Sequence, residues 1–109
     1  MKEDLAYIEH ILLAIKKINE YTKDMSKFDF NNNEMVQDAV IRNIEIIGEA
    51  TKKISNDLKD TYFDIPWKLM TGMCDKLIHD YMGIDIDVVW KTIEKDIPLL
   101  ESMIRKIEM

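Results

Sequence analysis

The stretch Glu34–Ser55, EMVQDAVIRNIEIIGEATKKIS, decides the fold class. Within it Val36, Val40, Asn43, Ile47, Ala50 and Ile54 recur at alternating spacings of four and three. That period puts them on one side of an α-helix, as in a coiled-coil seam, and such a face needs other helices to cover it. Just upstream, Asn31-Asn32-Asn33 supplies side chains that can cap the helix start. Asn43 is the polar member of the seam: it either sets register between helices or sits at a ragged edge. Asp38, Arg42, Glu45 and Glu49 line another face. They read as a solvated surface with Asp38–Arg42 and Arg42–Glu45 pairs. Their carboxylates also suggest acid–base work or a metal, but no histidine stands at ligand spacing nearby.

Working outward, residues 2 to about 24 read as the first helix, with Leu5, Ile8, Leu12 and Ile15 as its apolar stripe. Tyr7, His10, Ala14 and Tyr21 form a weaker second line. It reads as a partly exposed edge or as a contact surface for a second chain. Residues 28–33 break the chain before the second helix. After it, Asn56 to Ile65 reads as a connector with a short apolar patch, Tyr62-Phe63. Pro66 can open a third helix, since its missing N–H would be unpaired there anyway. That helix runs towards Tyr81, and Gly83 marks its end. Asp85 or Asp87 can cap a fourth helix carrying Val88, Val89, Trp90 and Ile93. Pro98 breaks that helix or starts another, with Asp96 as a cap. Leu100, Ile104 and Ile107 continue the apolar spacing. The expected architecture is all-α: an up-and-down antiparallel four-helix bundle in a single domain over residues 1–109.

Composition agrees. A hydrophobic fraction of 47% with 33% charged residues fits a globular chain and argues against disorder. Three glycines and two prolines leave little material for the turns of an all-β fold. The net charge of −6 argues against a broad basic surface for long duplexes, while 15 Lys and Arg still permit a local RNA cleft. No apolar run approaches the roughly 20 residues that span a bilayer, so no membrane role is expected. The N-terminus does not read as a signal peptide. A single cysteine rules out an internal disulfide and suits a reducing cytoplasm.

Reactive side chains gather in Gly72-Met73-Cys74-Asp75-Lys76-Leu77-Ile78-His79-Asp80-Tyr81-Met82-Gly83, which holds the only cysteine and one of the two histidines. On a helical wheel Trp67, Met70, Cys74, Leu77, Ile78 and Tyr81 share an apolar face. One reading makes Cys74 and Tyr81 core residues and His79 a boundary histidine. The other projects His79, Asp80 and Tyr81 from a helix end into a cleft, where histidine moves a proton near neutral pH. A Cys74–His79 nucleophile–base couple within one helix has poor geometry, because five residues place them nearly opposite.

His79-Asp80-Tyr81, then Gly83-Ile84-Asp85 and Val89-Trp90, resembles the HepT-like group of the HEPN superfamily, whose signature is Arg, four residues, His, any residue, Tyr. Gln37 to Asn43, Ile47-Gly48-Glu49-Ala50, Pro66-Trp67 and Asp96-Ile97-Pro98-Leu99 are similar to that group as well, so the resemblance covers nearly the whole chain. It implies a homodimeric helical bundle whose two signatures meet in a cleft. It further implies a metal-independent endoribonuclease toxin that acts on tRNA or mRNA without a cofactor. The implied antitoxin is a nucleotidyltransferase that binds the toxin or transfers AMP to Tyr81. His79 would be catalytic or position RNA, with Asp75 and Asp80 supporting the cleft. Cys74 occupies the arginine slot, and it has neither a fixed cation nor a fork of donors for a phosphate. That departure implies weakened or lost activity. The alternative is a non-catalytic helical binding partner of the nucleotidyltransferase.

Overall fold

The computed structural model describes residues 2–78 and 83–107. Its elements are α1 (Lys2–Tyr21), α2 (Lys27–Asn31), α3 (Glu34–Lys53), α4 (Asn56–Thr61), α5 (Trp67–Ile78), α6 (Ile86–Lys91) and α7 (Ile97–Ile104). Thr92–Asp96 forms a π-helical turn between α6 and α7. The described chain is all-α, as the spacing predicts, and it forms a helical bundle. α3 is the central element: α1 packs along one side of it and α5 along another, while α7 packs on α1.

The seam of α3 is the core it was expected to be. Val40, Asn43, Ile47, Ala50 and Ile54 are buried. Asn43 does not reach across to another helix; its Nδ2 donates to the carbonyl of Ala39, one turn back, at 2.8 Å. Asn33 caps α3 by accepting from the N–H of Val36 at 3.1 Å. Arg42 and Glu45 pair at 3.3 Å on an exposed face, where such a bridge contributes little.

α1 departs from its expected stripe. Leu5 is 42% exposed, whereas Ile8, Ile11, Ile15 and Ile18 form the buried line. That line begins one turn earlier at Asp4, which is only 3% exposed. The Asp4 carboxylate accepts from the Ser55 N–H at 2.8 Å and from the Ser55 hydroxyl at 2.6 Å. The start of α1 is thereby tied to the end of α3, so the two helices run antiparallel. Ser55 in turn caps α4 by accepting from the N–H of Leu58. The hydroxyl of Ser55, then its backbone N–H, hold the Asp4 carboxyl below the usual carboxylate range, against an opposing effect of burial.

A carboxyl depressed in the folded state adds stability above its unfolded value of about 3.9, and that stability is lost as pH falls through the folded value. Asp4→Ala is therefore expected to cost about 2–3 kcal/mol at neutral pH, the range for hydrogen bonds to a charged group. The gap to the wild type should narrow below about pH 4. Urea unfolding at neutral and acid pH checks this. A gap independent of pH would assign the effect to packing instead.

Two short helices occupy stretches expected to be irregular. α2 starts from a capping box in which Ser26 accepts from the Asp29 N–H while the Asp29 carboxylate accepts from the Ser26 N–H. Buried Gln37 holds α2 on α3 by donating to the carbonyls of Phe30 and Asn31. α4 fills the first half of the expected connector. The first helix also stops sooner than expected, at Tyr21, before Asp24 takes a φ of +61°.

The last helix changes type just before Pro98: α6 ends at Lys91, the π turn follows, and α7 begins at Ile97 with Pro98 in its first turn. Backbone angles stay helical at Lys91, Thr92, Asp96 and Ile97, and the Ile97 N–H reaches back five residues to the Thr92 carbonyl. Proline has no N–H and its ring crowds the carbonyl four residues back. The widened π turn just before it accommodates that misfit. Asp96 accordingly has helical angles and makes no capping bond with its side chain.

Candidate functional site

Cys74 and Asp75 lie in the last turns of α5, which begins directly after Pro66 as the proline predicts. His79, Asp80 and Tyr81 lie outside the described residues, so the described geometry of the site is that of its two flanks. On the near flank, α5 is anchored by Trp67. Its indole is 8% exposed and its Nε1 donates to the Tyr62 carbonyl at 3.1 Å. Met70, one turn on, is also buried. On the far flank Gly83 has a φ of +113°, a backbone region that L side chains rarely adopt. Asp85, one of the two expected caps, starts α6 by accepting from the Asp87 N–H at 3.0 Å. Val89 and Trp90 then sink into the core, with Trp90 tilted against Phe30 at a centroid distance of 5.2 Å. The described chain is thus packed into the core through a buried tryptophan on each side, Trp67 in α5 and Trp90 in α6.

The near flank carries an ion pair between α3 and α5. Lys52 Nζ, from the last turn of α3, sits 2.7 Å from Asp75 Oδ1. Both side chains are about half exposed, so the pair adds little stability. Its consequence is electrostatic: the ammonium of Lys52 offsets the carboxylate of Asp75 beside position 74. The sequence reading placed Asp75 in the cleft but did not find Lys52. Lysine among the helix-ending Lys52-Lys53 looks like ordinary C-terminal charge, and only the packing of α3 on α5 joins it to Asp75.

The other residues that carry the resemblance sort into structural roles. Gln37, Asn43, Ile47, Gly48, Ala50, Trp67, Val89 and Trp90 are buried. Asp38, Arg42 and Glu49 stay exposed. The second line of α1 borders an open groove of about 380 Å³ against α3, where Tyr7 and His10 meet edge to face at 6.3 Å. Leu13 and Ile46 supply its apolar wall. The groove holds no acid–base pair with the signature residues of the described chain. No described helix is long and apolar enough to cross a membrane.

A family profile described as "Ribonuclease HepT-like" matches residues 11–107. The chain belongs to the HepT-like ribonuclease family. Among family members it is 48% identical over 101 residues to a protein of Thermococcus cleftensis named probable ribonuclease HepT, covering 93% of this chain and 92% of that one. It is 39% identical over 107 residues to a protein of Caldanaerobacter subterraneus named as a candidate RNase, covering 98% and 96%. A Methanocaldococcus jannaschii relative, 46% identical over 108 residues, is named for both a gamma-glutamylcyclotransferase and a candidate RNase; the match covers 98% of this chain and 49% of that protein. This chain therefore spans about half the length of that relative. No solved structure matches the chain.

Proposed function

We propose that this protein is a HepT-like toxin, a metal-independent endoribonuclease that works as a homodimer and is restrained by a nucleotidyltransferase antitoxin. The observation that supports it is the family match across nearly the whole chain, together with His79-Asp80-Tyr81 between two anchored flanks. In this reading His79 takes the proton of a ribose 2′-OH as it attacks the neighbouring phosphate, and returns a proton to the leaving oxygen. Such a reaction needs proton transfer and stabilisation of negative charge. Tyr81 donates a hydrogen bond to a phosphate oxygen, and the same hydroxyl is the acceptor when the antitoxin transfers AMP. AMP on Tyr81 would place a phosphate where substrate phosphate must sit. Asp75 and Asp80 flank the cleft, and Lys52 screens the first of them.

Cys74 supplies neither the cation nor the donors of the family arginine, and Lys52 is already engaged with Asp75. The test is therefore cleavage of total RNA with EDTA present, by the Cys74→Arg protein and by the same protein carrying His79→Ala. Cleavage lost with His79 supports the reading. Cleavage that persists without His79, or requires a divalent metal, sinks it. If neither protein cleaves but both bind the nucleotidyltransferase, the non-catalytic binding partner takes its place.

A further inference from the structure

Phe63 is 82% exposed, an unusual position for a phenylalanine. It stands on the turn between α4 and α5. The Ile65 N–H donates to the Tyr62 carbonyl at 3.0 Å and the Trp67 N–H to the Ile65 carbonyl at 2.8 Å. The Trp67 indole donates to the same Tyr62 carbonyl. Because Trp67 is buried, the turn is bolted to the core, and Phe63 needs little ordering when it meets a ligand. Beside it lies an open depression of about 550 Å³ lined by Asn56, Lys59, Asp60, Pro66, Trp67 and Lys68 among others. Neither Lys59 nor Lys68 joins an ion pair among the described residues. Phe28, 75% exposed, offers a contrast: its neighbour Lys27 is bridged to Asp87 at 3.4 Å.

We propose that Phe63 is a stacking platform for a base of single-stranded RNA, with Lys59 and Lys68 holding the flanking phosphates. The proposal rests on the ribonuclease reading above and adds to it where the substrate is gripped. An exposed aromatic ring beside ammonium groups that join no ion pair among the described residues is the combination that binds single strands without sequence preference. The core of a protein-docking patch is depleted in lysine and aspartate, whereas this lining carries Lys59, Lys68 and Asp60. Two lysines against Asp60 leave the lining positive in a chain of net charge −6, so this is a place where an acidic protein can hold a polyanion. α5 has 12 residues and spans about 18 Å from the platform's end to the end that leads into His79. Phe63 therefore anchors the strand some nucleotides away from the bond that is cut.

The test is fluorescence anisotropy with a labelled, unstructured oligoribonucleotide, in a His79→Ala background that prevents cleavage. Phe63→Ala is expected to raise Kd about tenfold, the loss of one stacked base, while Phe63→Trp stays within about twofold. Lys59→Ala with Lys68→Ala should flatten the salt dependence by about two phosphates. The same sequence as a duplex should not distinguish Phe63 from alanine, because its bases are already stacked. Unchanged single-strand affinity in Phe63→Ala, or no single-strand binding at all, overturns the platform. So does a Phe63→Ala protein that loses a protein partner and keeps its RNA. A Cys74→Arg protein that cleaves RNA while Phe63→Ala binds normally discards the platform alone. One that binds through Phe63 and never cleaves discards the nuclease reading alone.

Discussion

Replacing Cys74 with arginine is expected to raise RNA cleavage by about a hundredfold to a thousandfold, the range seen when a charge-stabilising donor is added or removed at a reacting centre. The phosphate passes through a state with more negative charge than the substrate. A guanidinium meets it with a permanent cation and paired N–H donors, and a thiol meets it with one weak donor. Asp75, next in α5, adds negative charge beside position 74. Lys52 offsets Asp75 from α3 but remains bound to it at 2.7 Å. Lys52, the cation paired at this flank, is thus committed to Asp75. Single-turnover cleavage of one defined RNA, with EDTA, measures the effect. Cys74→Lys should recover less than arginine, because an ammonium is a point charge without the planar fork. Equal rates for cysteine and arginine would mean that His79 and Tyr81 carry the chemistry without help from this slot.

Phe30→Ala is expected to cost about 3–5 kcal/mol, the usual price of emptying a fully buried aromatic site. Phe30 has no exposed surface and sits in the middle of α2, a helix of five residues. A helix that short has no stability of its own. It persists through its capping box, the Gln37 bonds and the seat of Phe30 against Trp90. Truncation leaves a cavity and cuts the contact to α6, which holds the chain just after the signature segment. Thermal unfolding should show a midpoint lower by roughly 15–25 °C. A double-mutant cycle with Trp90→Ala should show coupling of about 0.5–1.5 kcal/mol from the ring pair. A loss under about 1 kcal/mol would mean that the site collapses around the gap. Cleavage by Cys74→Arg should fall further than the folded fraction does, since α6 positions one flank of the site.

Much of the framework around the candidate site was legible because its signals are local. Asn33 and Asp85 cap their helices within a turn of themselves, Pro66 marks the start of α5, and Gly83 meets a backbone angle suited to glycine. The order of His79, Asp80, Tyr81 and Gly83 pointed to the family without any structure, and the family profile agrees. Lys52, by contrast, is joined to Asp75 only across a helix interface, and no spacing along the chain announces that.

What the sequence by itself determined is the helical class, the core face of α3 and the family. Each follows from 3.6-residue periodicity, from capping chemistry within one turn, or from the identity of residues in order. The tertiary structure decided which of the stripes on α1 is inside. The expected stripe began at Leu5, but the buried line runs from Asp4 through Ile8, Ile11, Ile15 and Ile18, with Asp4 bound to Ser55, 51 residues away. It also decided that a π turn joins α6 to α7 in front of Pro98. Burial and helix continuity depend on what packs from elsewhere in the chain, and a local pattern holds no record of that.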